Sequence, residues 1–238
     1  MSESPTLHRS ADENLLYQRR AEAAMASRGI SSEPILDAAL AALKTVPCGM
    51  RLLEFGAGTG NLLRRLVDSA CQGSLTGADI LPRPAWLPES IGWVQADLNQ
   101  STCLLESSFD IIVTTEVIEH LENPRAVARE FARLLRPGGR VVLTTPNQES
   151  VRSMLSLLAT GHFVAFQESC YPAHISALLR TDLKRIFTEA GFQNIRFNFT
   201  GHGGIPKLPQ ITWQQISMGL LRGRLFSDNL VMEADMPN

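Results

Sequence analysis

Residues Met50 to Gly60 constrain this chain more than any other stretch. The apolar run Met50-Arg51-Leu52-Leu53-Glu54-Phe55 stops at Gly56-Ala57-Gly58-Thr59-Gly60, and a helical pattern begins at Asn61. Short apolar runs punctuated by glycine read as buried strands. Three glycines in five positions let the backbone turn sharply and lie close to a ligand. The helix that follows presents unpaired N–H groups at the same turn. Strand, glycine turn and helix, in that order, open an α/β sheet in which ligands bind beyond the carboxyl ends of the strands.

The remainder of the 238 residues continues the alternation. A helix is expected from Asp12 to Arg28, closed by Gly29. A second is expected from Ser32 as cap, with Pro34 in its first turn, to about Lys44, before Pro47. Strands are expected at Met50–Phe55, Ser74–Asp79, Gly92–Ala96, Phe109–Thr114, Arg140–Thr145, Gln193–Thr200 and Leu225–Glu233. Between them helices are expected at Asn61–Ala70, from Asn123-Pro124 to just before Pro137-Gly138-Gly139, at Ser150–Ala159 and at Thr181–Ala190. The pattern predicts a doubly wound, Rossmann-like, mostly parallel seven-stranded sheet. The last two strands lack a full-length crossover, so one antiparallel edge strand is expected. Nothing divides the chain, and 1–238 reads as one domain. Residues 1–47 supply covering helices, 48–146 a cofactor half and 147–238 an acceptor half.

Composition narrows the function classes. The 22 Lys and Arg against 24 Asp and Glu give a net charge of −2. A nucleic-acid partner is therefore not expected, because such proteins carry a basic footprint for phosphates. Cys48, Cys71, Cys103 and Cys170 are widely spaced and read as reduced core thiols. The opening MSESPT lacks the order of a signal peptide, and no apolar run reaches the ~20 residues of a membrane span. A cytoplasmic protein with a small-molecule ligand is the expectation, with a homodimer left open.

The residues just after each strand are where chemistry belongs. The dinucleotide fingerprint G-x-G-x-x-G is not met, since its third glycine falls one place early, at Gly60. Asp79 ends the second strand, where an acid grips ribose hydroxyls; alone it is equally a solvated turn residue. Asp97 ends the third, where an adenine amino group would want an acceptor. Taken together, Glu54 to Gly60, Ala78-Asp79, Gln95 to Leu98, Phe109 to Ile112 and Leu135 to Gly139 resemble a class I methyltransferase using S-adenosylmethionine. The resemblance covers about residues 48 to 200. It implies that Glu54 and the loop Gly56, Ala57, Gly58, Gly60 cradle the methionine part. Asp79 would hold the ribose hydroxyls and Ile80 would lie against adenine. Asp97 and Leu98 would meet the adenine edge, and Thr115 and Glu116 would flank the methionyl end.

Methyl transfer from a sulfonium is an in-line displacement, so positioning the acceptor does most of the work. A hydroxyl acceptor also needs a base. His120 and Glu119, in Glu116-Val117-Ile118-Glu119-His120, are the candidates, unless they merely cap and order the loop. The segment is similar to that of quinone-biosynthesis O-methyltransferases, which implies O-methylation of a small or lipid-like molecule. It also resembles, more weakly, that of metal-dependent small-RNA 2′-O-methyltransferases, which would imply a metal set of Glu116, Glu119, His120 and His174; metal-free relatives share the segment, so no metal is expected, and His174 reads rather as a pocket or satisfied loop histidine. A non-catalytic cofactor-binding module and a nicotinamide dehydrogenase are the other readings. Pro146-Asn147 is expected to line the acceptor pocket, and Ser150 to Ala173 to form a lid or wall or ordinary core. The N-terminal helix, with Tyr17, Arg19 and Arg20, is expected to close over the cofactor. Residues 201–224 fit a dimer contact or a pocket rim.

Overall fold

The computed structural model describes residues 11–26, 31–44, 49–67 and 73–238. The expected ends of the first and third helices, at Arg28-Gly29 and Ala70, and also Pro47, Cys48 and Cys71, lie outside them, while the second helix ends at Leu43 with Lys44 as its cap, as expected. Two helices, α1 (Ala11–Ala26) and α2 (Glu33–Leu43), precede β1 (Leu52–Phe55) and α3 (Asn61–Val67). Then come β2 (Leu75–Asp79), β3 (Gly92–Gln95), β4 (Phe109–Thr115), α4 (Pro124–Leu134) and β5 (Leu135–Pro146). The last part holds α5 (Val151–Thr160), α6 (Arg180–Glu189), β6 (Gln193–Phe199), β7 (Gly204–Ile205), β8 (Leu208–Thr212), α7 (Trp213–Ile216) and β9 (Asn229–Asp235).

The main sheet has seven strands in the order β3-β2-β1-β4-β5-β9-β6. Strands β1 to β5 are parallel, and β9 runs antiparallel to both neighbours. The expected seven-stranded, mostly parallel sheet is present, with its antiparallel strand one place in from the edge. Both faces are covered, as a parallel sheet requires. Leu36, Ala39 and Leu43 of α2 pack with Leu52, Ile111, Val113, Val142 and Val231 on one face. Phe131 of α4 and Leu183 and Phe187 of α6 pack with Leu53, Phe55, Ile112, Leu143 and Met232 on the other. The reversal of strand order falls between β1 and β4, so the ends of these two strands open the crevice of a doubly wound sheet.

Local rules explain most boundaries. Asn123 accepts from Ala126 N at 3.1 Å and Pro124 occupies the first turn of α4. Ser150 accepts from Ser153 N at 3.1 Å, and Gly161 ends α5 in the left-handed region at φ 79°. Ser32 stands at the start of α2 without a side-chain cap bond, contrary to the expectation. Two other expectations need correction. Strand β5 begins at Leu135 and runs through Pro137-Gly138-Gly139, because Leu135 pairs with Phe109 before a register shift. The last strand begins at Asn229 rather than Leu225, because Leu225 lies in a 3-10 turn, Arg224–Phe226. The β7–β8 hairpin and α7 have no counterpart in the sequence reading.

Candidate active site

The glycine loop leaves β1 with φ of 82° at Gly56, 51° at Gly58 and 78° at Gly60, a region side chains other than glycine rarely adopt. Gly56 N and Ala57 N donate to Ala78 O at 2.8 and 3.1 Å, which ties the loop to the end of β2. Asp79 completes the tie: its Oδ2 accepts from Gly58 N at 2.7 Å and its Oδ1 from Leu81 N at 2.8 Å. Burial pushes the Asp79 carboxyl up, against the opposing pull of these N–H groups. Glu54, fully buried in β1, accepts from Leu63 N at 3.1 Å and so caps the first turn of α3. Burial drives it well above the ordinary carboxylate range.

These residues line a cavity of about 840 Å³, within the ~300–1,000 Å³ usual for small-molecule sites. Every cofactor residue singled out in the sequence apart from Gly60 lies on its wall: Glu54, Gly56, Ala57, Gly58, Asp79, Ile80, Asp97, Leu98, Thr115 and Glu116. Ile80 and Leu98 are buried apolar walls beside the two aspartates. Gly60 turns the chain into α3 beneath Trp86, whose Nε1 donates to Thr59 O at 3.1 Å.

Helix α1 lies across the cavity, as expected of it. Arg20 pairs with Asp97 and, at 2.8 Å, with Glu122, while Tyr17 donates to Ile80 O at 3.3 Å. The other Asp97 oxygen accepts from Asn99 N at 3.0 Å. The expected adenine-edge acceptor is thus also the anchor of α1. Nothing in the sequence pairs Arg20 with Asp97 across 77 positions.

Strand β4 finishes at Thr115, Glu116 follows it, and a 3-10 turn, Ile118–His120, carries Glu119 and His120. Ligand atoms of Glu119, His120 and His174 converge within 4.8 Å of one another. His120 Nδ1 lies 2.8 Å from Ala173 O, and His174 Nδ1 lies 2.6 Å from Ala165 O. A carbonyl only accepts, so each Nδ1 carries the proton and each Nε2 keeps a lone pair. The rings meet edge to face, centroids 4.6 Å apart. Burial, with His174 alongside, lowers His120 to about 4. Glu119 Oε2 accepts from Thr145 Oγ1 at 3.0 Å, but its buried Oε1 has no partner. Burial and the nearby Glu116 hold Glu119 well above the usual carboxylate range.

Of the four residues in the implied metal set, the structure gathers Glu119, His120 and His174; Glu116 stands outside that group. His174 arrives on the segment after α5, and Tyr171, Pro172, Ala173 and Ile175 line the cavity with it. Of the stretch Ser150 to Ala173, only Tyr171, Pro172 and Ala173 line the cavity, and Met154, Leu155 and Leu158 are exposed on α5. Pro146-Asn147 is not on the cavity wall. Asn147 is buried and donates to Arg224 O at 2.6 Å and Ser227 O at 2.8 Å, clamping the turn before β9. Cys103 is exposed and Cys170 half-buried, so neither is a core thiol, and both are free. Among the described residues no helix is long and apolar enough to cross a membrane.

The family model described as a methyltransferase domain matches residues 17–196. The chain belongs to the class I S-adenosylmethionine-dependent methyltransferases. It is 22% identical over 158 residues to the ubiquinone biosynthesis O-methyltransferase of Idiomarina loihiensis, covering 63% of this chain and 64% of that protein. It is 29% identical over 150 residues to the enzyme of the same name from Xanthomonas axonopodis pv. citri, covering 56% of this chain and 62% of that protein. The matched stretch thus spans just under two thirds of these relatives. Among solved structures, the 1,6-didemethyltoxoflavin-N1-methyltransferase of Burkholderia thailandensis superposes with a TM-score of 0.63 at 14% identity. That match covers 100% of this chain and 94% of the other, and it shows a shared fold.

Proposed function

We propose that this chain transfers a methyl group from S-adenosylmethionine to an oxygen of a small or lipid-like, hydroxyl-bearing acceptor. The observation that carries the reading is the meeting, in one cavity, of the Asp79-braced glycine loop with His120 and His174, behind which Glu119 is fully buried. The chain's own residues fit the donor. Asp79 keeps lone pairs for ribose hydroxyls beyond the two N–H groups it already accepts. Glu54 is buried and Glu116 half-buried on the wall, with no ion-pair partner among the described residues; burial raises both carboxyls, and a ligand carrying positive charge would favour their charged forms. Bound S-adenosylmethionine supplies an electrophilic methyl group on a sulfonium.

The acceptor wall, Tyr171 to Ile175, would place a hydroxyl against the His120 side of the cavity. The hydroxyl's oxygen gains the methyl carbon, and its proton leaves to a base. His120 is neutral with its Nε2 lone pair unprotonated, so it can take that proton. Its strength is limited, however: a base held at about 4 sits three pH units below neutrality, and efficient bases lie near the working pH.

That limit favours a second reading, a divalent cation held by Glu119, His120 and His174. The unpartnered Glu119 Oε1 and two neutral imidazoles anchored through Nδ1 form a set of three ligand atoms, and the proton that burial favours on Glu119 is one a bound cation would displace. Metal-bound histidines usually donate their other ring N–H to a carbonyl. Mixed carboxylate and imidazole ligands suit Mg or Mn. Such a cation would lower the pKa of an acceptor hydroxyl. Residues 48–146 then serve as the cofactor half and 147–238 as the acceptor half, and nucleic acid is not an expected substrate.

Transfer of labelled methyl from S-adenosylmethionine to a panel of hydroxyarenes and the matching aminoarenes tests the reading, run after chelation and again with Mg or Mn restored. Label in an ether-forming product supports O-methylation. Loss on chelation with recovery on adding metal supports the cation, and full activity in chelator leaves His120 as the base. Label confined to amines would overturn the O-methyl reading.

A further inference from the structure

Glu116 differs from every other acid on the cavity wall in how it is held. It is a non-glycine residue at φ 55°, a strained conformation that persists where the surroundings fix it. Two elements fix it here. Glu116 N donates to Thr144 O at 3.1 Å, and Thr144 Oγ1 donates to Glu116 Oε1 at 3.1 Å. Asn229 Nδ2, at the start of β9 and 113 positions away, donates to Glu116 Oε2 at 2.8 Å. Each carboxylate oxygen therefore receives one neutral donor from a neighbouring strand. Burial raises the carboxyl to about 8, the two donors pull against that rise, and no cation of the described residues forms an ion pair with it. This arrangement also explains why Glu116 stays out of the Glu119, His120 and His174 group: its carboxylate is committed to β5 and β9.

We infer that Asn229 is a positioning residue which, with Thr144, aims the Glu116 carboxylate at the α-ammonium of the cofactor's amino-acid end. The inference rests on the cofactor reading above and assigns it a determinant that lies outside every motif of the cofactor half. A neutral donor suits the task better than an arginine or lysine would. It orders the carboxyl group without cancelling the negative charge that the cofactor's ammonium would draw out on it. Glu116 with Asn229 removed would keep its charge cost but lose the donor that directs it, as happens when one partner of a buried pair is deleted.

The test is calorimetric titration of the wild-type chain, Asn229→Leu and Thr144→Val with three ligands. S-adenosylmethionine and S-adenosylhomocysteine carry the amino-acid end; 5′-methylthioadenosine carries the nucleoside alone. In Asn229→Leu the first two should bind about tenfold more weakly or worse, the scale of a hydrogen bond to a charged group. 5′-Methylthioadenosine should stay within about twofold, which a misfolded variant could not achieve. Thr144→Val should show the same split, and it decides the matter if Asn229→Leu does not fold. Equal loss of all three ligands in Thr144→Val, or no loss in either variant, overturns the role. A wild-type chain that binds 5′-methylthioadenosine as tightly as the other two overturns the role while leaving the nucleoside site intact. One that binds none of the three overturns both the role and the cofactor reading.

Discussion

Acidification should destabilise this protein through His120, by an amount the structure sets. The unfolded chain's imidazole has the ordinary value of 6.5, while in the folded cavity it is lowered to about 4. Between those values the unfolded state takes up a proton that the folded state refuses, so stability rises with pH over that interval. The His120 contribution is fully present above 6.5 and is lost as pH falls through about 4. At ~1.4 kcal/mol per pH unit the gap amounts to about 3 kcal/mol, against a total of roughly 5–15 kcal/mol for a typical domain. His174 is lowered too and acts with the same sign. The raised carboxyls of Glu54, Glu116 and Glu119 act oppositely, adding stability at low pH that disappears as pH rises through their folded values. The comparison must therefore be made between two proteins that share them. Urea unfolding of the metal-free wild type and of His120→Asn, each at pH 7 and pH 4, isolates the imidazole. The wild type should lose about 3 kcal/mol more than the variant across that range. Equal losses would refute the reasoning, because they would mean that His120 takes up its proton as readily folded as unfolded.

Three further outcomes are expected. Gly56→Ala puts a Cβ 2.2 Å from Val117 Cγ2 at a φ of +82°; left-handed strain of ~1–2 kcal/mol and overpacking of ~1–3 kcal/mol should lower the melting temperature and abolish cofactor binding together, as thermal scans with and without S-adenosylhomocysteine would show. Asp79→Asn leaves the side chain's shape but removes the charge that Gly58 N and Leu81 N donate to, so calorimetry should show S-adenosylhomocysteine binding weakened by about tenfold or more. Arg20→Ala releases α1 from both Asp97 and Glu122, and amide exchange in Ala11–Ala26 should speed up while exchange in β4 and β5 stays unchanged.

How legible the site was depended on the range of the interaction concerned. Gly56 to Gly60, Asp79 and Asp97 follow successive strands, and strand ends in a parallel sheet fall on one rim, so their convergence could be read from order alone. Glu119 and His120 stand together in sequence, and a single tight turn kept them together in space. His174 depended on a resemblance, because its approach runs through an irregular segment with no period to follow. Nothing in the sequence points to Asn229, and it offers Arg20 only as part of the covering helix, without its partner Asp97: each reaches its acid across a long stretch of chain, and a polar pair of that kind leaves no pattern in composition or spacing. Asn147 was misassigned for a related reason, since its place after a strand suggests a pocket while its carboxamide is spent on two backbone carbonyls. The fold was legible where burial is periodic and less so at its margins. The apolar run around Leu225 reads as strand, yet pairing with β5 and β6 starts only at Asn229. Strand β5 shows the converse, since backbone pairing carried it through a Pro-Gly-Gly sequence that local propensity would break.

The central claim is that the Asp79-braced loop holds the adenosyl cofactor, and calorimetric titration of the wild-type chain with S-adenosylhomocysteine, with NADH alongside, tests it most directly. The expected result is one S-adenosylhomocysteine per chain with no heat from NADH, and strong weakening in Asp79→Ala. Binding of NADH instead, or S-adenosylhomocysteine binding that Asp79→Ala leaves unchanged, would contradict it.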